Sequence, residues 1–184
     1  MNQRPKNELI DRMNAAPVYI GVDPAFRKDG FWIAVVDMND RTVSYIKFSD
    51  VLDFHDYLRT PPGFSPMTFV CVENSNMQNK TFAYAQKGGK SEVMRRSRNV
   101  GTNQAVSELA YISASRVFGD RAFQVSPEEK GKKWTEQKAG QVLKLERLTV
   151  ITQGENQDCR DALKLALIAA KRALWNGAFK MMPK

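Results

Sequence analysis

Two short apolar runs, each closed by an acid, constrain this chain more than any other feature. Val18-Tyr-Ile-Gly-Val22 ends on Asp23, and Phe69-Val-Cys-Val72 ends on Glu73. A run without polar alternation reads as a central strand buried on both faces. A third apolar stretch, Ala162 to Leu174, is opened by Asp158 and Asp161. A carboxylate is costly to bury without a partner. Acids at the ends of buried strands and at the start of a buried helix therefore point to one shared metal site. Taken singly, each acid is also what a strand-end turn or a helix N-terminus ordinarily carries. The set favours the metal.

The 184 residues are 42% hydrophobic and 26% charged, which suits one domain with a sizeable core. A polar N-terminal extension, residues 1–16, is expected to precede a single domain over residues 17–184. No apolar run approaches the roughly 20 residues of a membrane span, and the N-terminal stretch is too polar and acid-bearing for a signal peptide. A cytoplasmic protein without a membrane partner is expected. Cys71 and Cys159 have no CxxC or Cys/His spacing and are expected to be free thiols.

The remaining elements follow from period and punctuation. Phe31–Val36 and Thr42–Phe48 read as strands joined by a turn-rich connection, so the first three strands form an antiparallel meander. Ser49 or Asp50 can cap a short helix to about Leu58, stopped by Pro61-Pro62. From Asn74 to Arg98 no period holds, and the segment reads as a long loop. A helix follows to Gly119, with Val106, Leu109, Ala110, Ser113 and Val117 on one face. Ala122–Val125 is a fifth strand, Thr135 to about Leu148 a helix, and Asp158 starts a last helix reaching about Trp175.

The net charge of +8 is unevenly spread. Lys80, Lys87, Lys90, Arg95, Arg96 and Arg98 crowd the predicted loop, which also carries Phe82 and Tyr84. Lys130, Lys132, Lys133 and Lys138 cluster around Trp134. Basic segments of this kind neutralise phosphates and release counterions, which makes nucleic acid the natural partner; a solvated face is the plainer alternative. Phe82, Tyr84 and Met77 either stack on or wedge between unpaired bases or anchor the loop to the core.

Ile20-Gly-Val-Asp-Pro24 followed by Gly30-Phe31, Val70-Cys-Val-Glu73, Val100-Gly-Thr-Asn103, Val125-Ser-Pro127 with the lysines after it, and Asp158-Cys-Arg-Asp161-Ala-Leu163 occur in one order from Val18 to about Ala173. The ordered set resembles the ribonuclease H fold and, within it, the RuvC-type Holliday junction resolvases. Ala25 departs from the glycine usual after the Asp-Pro pair, and the basic segment after Glu73 is long, as in a divergent viral or plasmid-borne branch. The resemblance implies an α/β fold with a five-stranded mixed sheet, strands 1–3 antiparallel, flanked by helices. It further implies magnesium or manganese, a homodimer, and paired symmetric nicks across a four-way DNA junction, in a bacterial cytoplasm or that of a viral host. Lys132 or Lys133 matches the family's lysines near the scissile phosphate.

Phosphodiester hydrolysis needs an activated water and a neutralised leaving oxygen, and two metal ions about 3.5–4 Å apart supply both. In this scheme Asp23 bridges the ions, Glu73 serves the leaving-group side, and Asp161 with Asp158 the nucleophile side. Asp158 is alternatively the cap or first-turn acid of its helix, which ranks Asp161 ahead. Glu155 is a weaker candidate, and His55 reads as a surface or packing residue. Lys132 and Lys133 are the candidates for offsetting transition-state charge. A nuclease for flaps or forks and a non-catalytic branched-DNA-binding protein are the rival functions. The helix from Val100 to Phe118 is the expected dimer interface, through Tyr111, Ile112 and Phe118.

Overall fold

The computed structural model describes residues 17–27, 30–60, 64, 67–77, 89–152 and 155–175. Strands β1 (Val18–Arg27), β2 (Gly30–Asp37) and β3 (Thr42–Phe48) form the antiparallel meander, and α1 (Val51–Arg59) follows. Asp50 caps α1, its carboxylate accepting the amides of Leu52 and Asp53. Strand β4 (Thr68–Glu73) then pairs parallel with β1, Val22 opposite Val72, so that Asp23 and Glu73 lie one residue beyond the paired segment.

Beyond β4 come α2 (Lys90–Phe118), β5 (Ala122–Val125), the one-turn α3 (Pro127–Lys130), α4 (Glu136–Leu145), β6 (Thr149–Val150) and α5 (Gln157–Trp175). The result is an α/β fold on a mixed sheet of order β5-β4-β1-β2-β3-β6. One face carries α5 over Tyr19, Ala34, Val43 and Cys71; the other carries α1 and α2 over Ile20, Ile33, Val70 and Val72. Both faces of β1 and β4 are therefore covered, which is why their sequences read as continuous apolar runs. No described helix is long and apolar enough to cross a membrane.

Two expectations are corrected. The sheet has six strands, not five: the amides of Thr149 and Ile151 bond the carbonyls of Arg41 and Val43, adding β6 to the edge of β3. Two residues carry no readable period. The basic segment expected as loop through Arg98 is helical from Lys90, which puts Lys90, Arg95, Arg96 and Arg98 on α2. Its first four turns lie ahead of Val106, the first buried residue of the helix; with little core to meet, they show no apolar stripe. Phe118 belongs to the core, its ring 5.9 Å from that of Phe64, and Tyr111 packs against the same cluster. Phe118 offers no free apolar surface, whereas Tyr111 and Ile112 are each partly exposed; the exposed large apolar residues of α2 are Met94 and Leu109. Lys80, Phe82, Tyr84 and Lys87 lie outside the described residues.

Candidate active site at the strand ends

Sheet alternation places Asp23 on the same face as Tyr19, and Glu73 on the same face as Phe69 and Cys71, which is the face that α5 covers. The approach of α5 depends on Gly21. A Cβ there would collide with the carbonyl oxygen of Ala162 and the amide of Ala166, so the helix backbone rests directly on β1. Asp161, adjacent to that contact, is thereby brought beside Asp23. Both acids are buried, as is Asp158.

The cation that meets them is Lys130. Its ammonium is ion-paired with Glu73 and lies 3.8 Å from Asp23 Oδ2 and 3.5 Å from Asp161 Oδ2. The lysine is itself buried. Burial alone would lower its pKa, but Asp23, Glu73 and Asp161 together outweigh that effect, and the net shift is upward. Lys130 is thus firmly charged at neutral pH, and the carboxylates outnumber it three to one.

Lys130 was expected among the phosphate-binding surface lysines, whereas Lys132 and Lys133 were expected at the reacting centre. Lys130 is inside the acid cluster, and Lys132 and Lys133, two and three residues on, are exposed. A readable signal lay just upstream. Ser126 and Glu129 form a capping box with Pro127 at the first helical position, a pattern that fixes a one-turn helix directly after β5 and ends it on Lys130. The turn beyond is pinned from α5, where Lys164 Nζ donates to the Lys132 carbonyl at 2.7 Å and lies 5.5 Å from the Trp134 ring centroid. Burial lowers the pKa of Lys164, partly offset by Asp161.

At the start of α5 the capping role falls to Asn156, whose Oδ1 accepts the Cys159 amide at 3.0 Å. Asp158 is therefore a buried first-turn acid and not the cap. Asp161 is oriented by Gln157, whose Nε2 donates to Oδ1 at 2.9 Å. Glu155 is exposed and pairs with Arg160 at 3.7 Å, and His55 lies on α1, on the far face. Next to Glu73, Asn74 is buried and ties the strand end to its neighbours: its side-chain amide reaches Gln124 Oε1 at 2.6 Å and Glu108 Oε2 at 3.0 Å. Cys71 and Cys159 are buried free thiols with pKa values raised by burial.

Among the described residues, no three His, Cys, Asp or Glu side chains stand in an arrangement that could hold a metal ion. The Lys130 ammonium occupies the space between the acids. In kind, however, the donors fit a hard divalent cation: three converging carboxylates from three separate elements, with negative charge in excess. The chain matches no protein-family model, no curated protein and no solved structure.

Proposed function

We propose that this chain is a divalent-metal-dependent endonuclease for branched DNA, with four-way junctions as its principal substrate. In this reading it has a ribonuclease H-like fold, is a divergent relative of the RuvC-type resolvases, and works in the cytoplasm as a homodimer. The supporting observation is the meeting of Asp23, Glu73 and Asp161 around Lys130 at one end of the sheet. Clustering three acids at one point, two of them buried and Glu73 partly so, is unfavourable for folding alone, and a binding or catalytic role accounts for it better than packing does.

Magnesium or manganese, one or two ions, would be held by Asp23, Glu73 and Asp161, with Asp158 one turn away on α5, and would supply an activated water and a neutralised leaving oxygen. Lys130 holds the acids together when no cation is bound, and its ammonium is placed to meet the charge of a scissile phosphate. Phosphates on either side are met by the exposed cations Lys90, Arg95 and Arg98 of α2 and by Lys132, Lys133 and Lys138. A second copy of the chain would cut the opposed strand, and Leu109 and Met94 are the apolar residues of α2 free to meet it.

Incubating the protein with labelled four-way junction, fork, flap and linear duplex, in magnesium or in EDTA, tests this directly. Symmetric nicks at the junction, abolished by EDTA, are expected. Cutting confined to flaps or forks would transfer the assignment to those substrates. Tight junction binding without cutting in any metal would leave a non-catalytic binding protein.

A further inference from the structure

The acids continue a row of side chains that runs across four strands. Asp23 on β1 is directly opposite Trp32 on β2, and Trp32 is directly opposite Lys47 on β3. Opposed residues of an antiparallel pair share a face, so the row Glu73, Asp23, Trp32, Lys47 lies on the side of the sheet that α5 covers. Trp32 is only partly buried and packs against the core cluster on that face. Lys47 is exposed, and its ammonium stands 6.0 Å from the Trp32 ring centroid. Strand spacing of about 4.8 Å puts the Trp32 backbone one strand from Asp23 and the Lys47 backbone two strands, about 10 Å, away.

We propose that Trp32 and Lys47 form a nucleotide subsite beside the acid cluster, the indole stacking an unpaired base next to the cleaved bond and Lys47 binding the phosphate that follows. The inference rests on the proposed nuclease function and adds to it the residues that seat the strand. Two properties of the row carry it. A partly exposed indole with only a mobile lysine side chain over its ring can receive a base by stacking, independent of sequence. A phosphate drawn towards a cluster with excess negative charge also needs a cation on its approach, and Lys47 supplies one along the same row. At a branch point continuous stacking is interrupted, so a base there is unpaired and drawn out more readily than in a continuous duplex.

The test is binding in EDTA, where nothing is cut. Labelled four-way junction and a short single-stranded oligonucleotide are titrated against the unaltered protein and against Trp32→Leu, Trp32→Tyr and Lys47→Gln. Leucine keeps the buried apolar part of the side chain without a stacking face. Trp32→Leu should bind both DNAs about tenfold more weakly, and Trp32→Tyr should recover most of that loss. Lys47→Gln should lower the slope of log K against log salt by about one. In a Trp134→Phe, Trp175→Phe background the remaining Trp32 emission should be quenched by the oligonucleotide. Tight binding by the unaltered protein with equal binding by Trp32→Leu, or emission unmoved at saturation, would overturn the subsite alone. Absence of DNA binding by the unaltered protein would overturn the subsite together with the nuclease assignment.

Discussion

Gly21 of β1 lies directly beneath the Ala162 carbonyl of α5, with no room between them for a side chain. This contact sets the height of α5 above the sheet. Asp161 is the residue before Ala162, and Asp23 is two residues beyond Gly21 on the same face, so a single close approach fixes the distance between two acids that come from opposite ends of the sequence.

Gly21→Ala should therefore act on stability and on the site at once. The added methyl meets backbone atoms of a helix, which cannot rotate away as a flexible side chain would. The expected cost is about 3 kcal/mol, the upper part of the range for overpacked cores. Denaturant unfolding in EDTA measures it. A cost below about 1 kcal/mol would show that α5 can lift off β1 freely, contrary to the packing described.

Lys130→Met removes the cation from the buried Asp23 and Asp161 and the partly buried Glu73, and should cost about 3–5 kcal/mol, as loss of one partner of a buried ion pair does. The pH dependence has a definite sign. The folded-state pKa of Lys130 is raised above its ordinary 10.5, so its stabilisation is fully present below that value and is lost as pH climbs through the raised one. The stability gap between the unaltered protein and Lys130→Met should be flat from neutral pH to about 10 and should close above 10.5. Paired denaturant melts across that range check it, since titrating groups remote from the cluster cancel in the difference.

The parts of this architecture legible in the sequence are those whose burial leaves a pattern. β1 and β4 are covered on both faces, so Ile20, Val22, Val70 and Val72 sit in unbroken apolar runs, and the acids that close those runs stand out. The meander and the α1 cap at Asp50 follow from local turn and capping chemistry. The first turns of α2 were illegible because a helix that buries little there has no reason to repeat apolar residues every three or four positions. β6 is two residues held by pairing to β3, a tertiary effect with no local trace. Lys130 was hidden among neighbouring lysines: composition marks a basic cluster but not which member a one-turn helix directs inward.

The exposed basic half of α2 provides a test of phosphate contact separate from the chemistry. Lys90, Arg95 and Arg98 are exposed, whereas Arg96 is ion-paired with Glu92 one turn away. Replacing Arg95 and Arg98 together by Gln should reduce the slope of log K against log salt by about two, roughly one per lost contact. Glu92→Gln should leave affinity unchanged or raise it, by freeing Arg96. Junction titrations at several salt concentrations in EDTA measure both, and an unchanged slope would assign this surface to solubility alone.

Cutting and binding should separate cleanly at the acids. Asp23→Asn, Glu73→Gln and Asp161→Asn each preserve shape while removing a charge, and each should lower the cutting rate on the order of 10⁴-fold or more. Junction affinity should hold or rise, because it comes mainly from phosphate neutralisation and the site then repels phosphate less. Asp158→Asn separates two roles. Since Asn156 already caps α5, a first-turn acid that only complements the helix dipole would cost about 0.3–1 kcal/mol of stability and leave the rate near normal. A loss of rate comparable to Asp161→Asn, with stability intact, would make Asp158 a fourth member of the site. Single-turnover cleavage of a labelled junction in magnesium, with binding measured in EDTA, distinguishes these outcomes, and near-normal cutting by Asp23→Asn would refute the proposed nuclease mechanism.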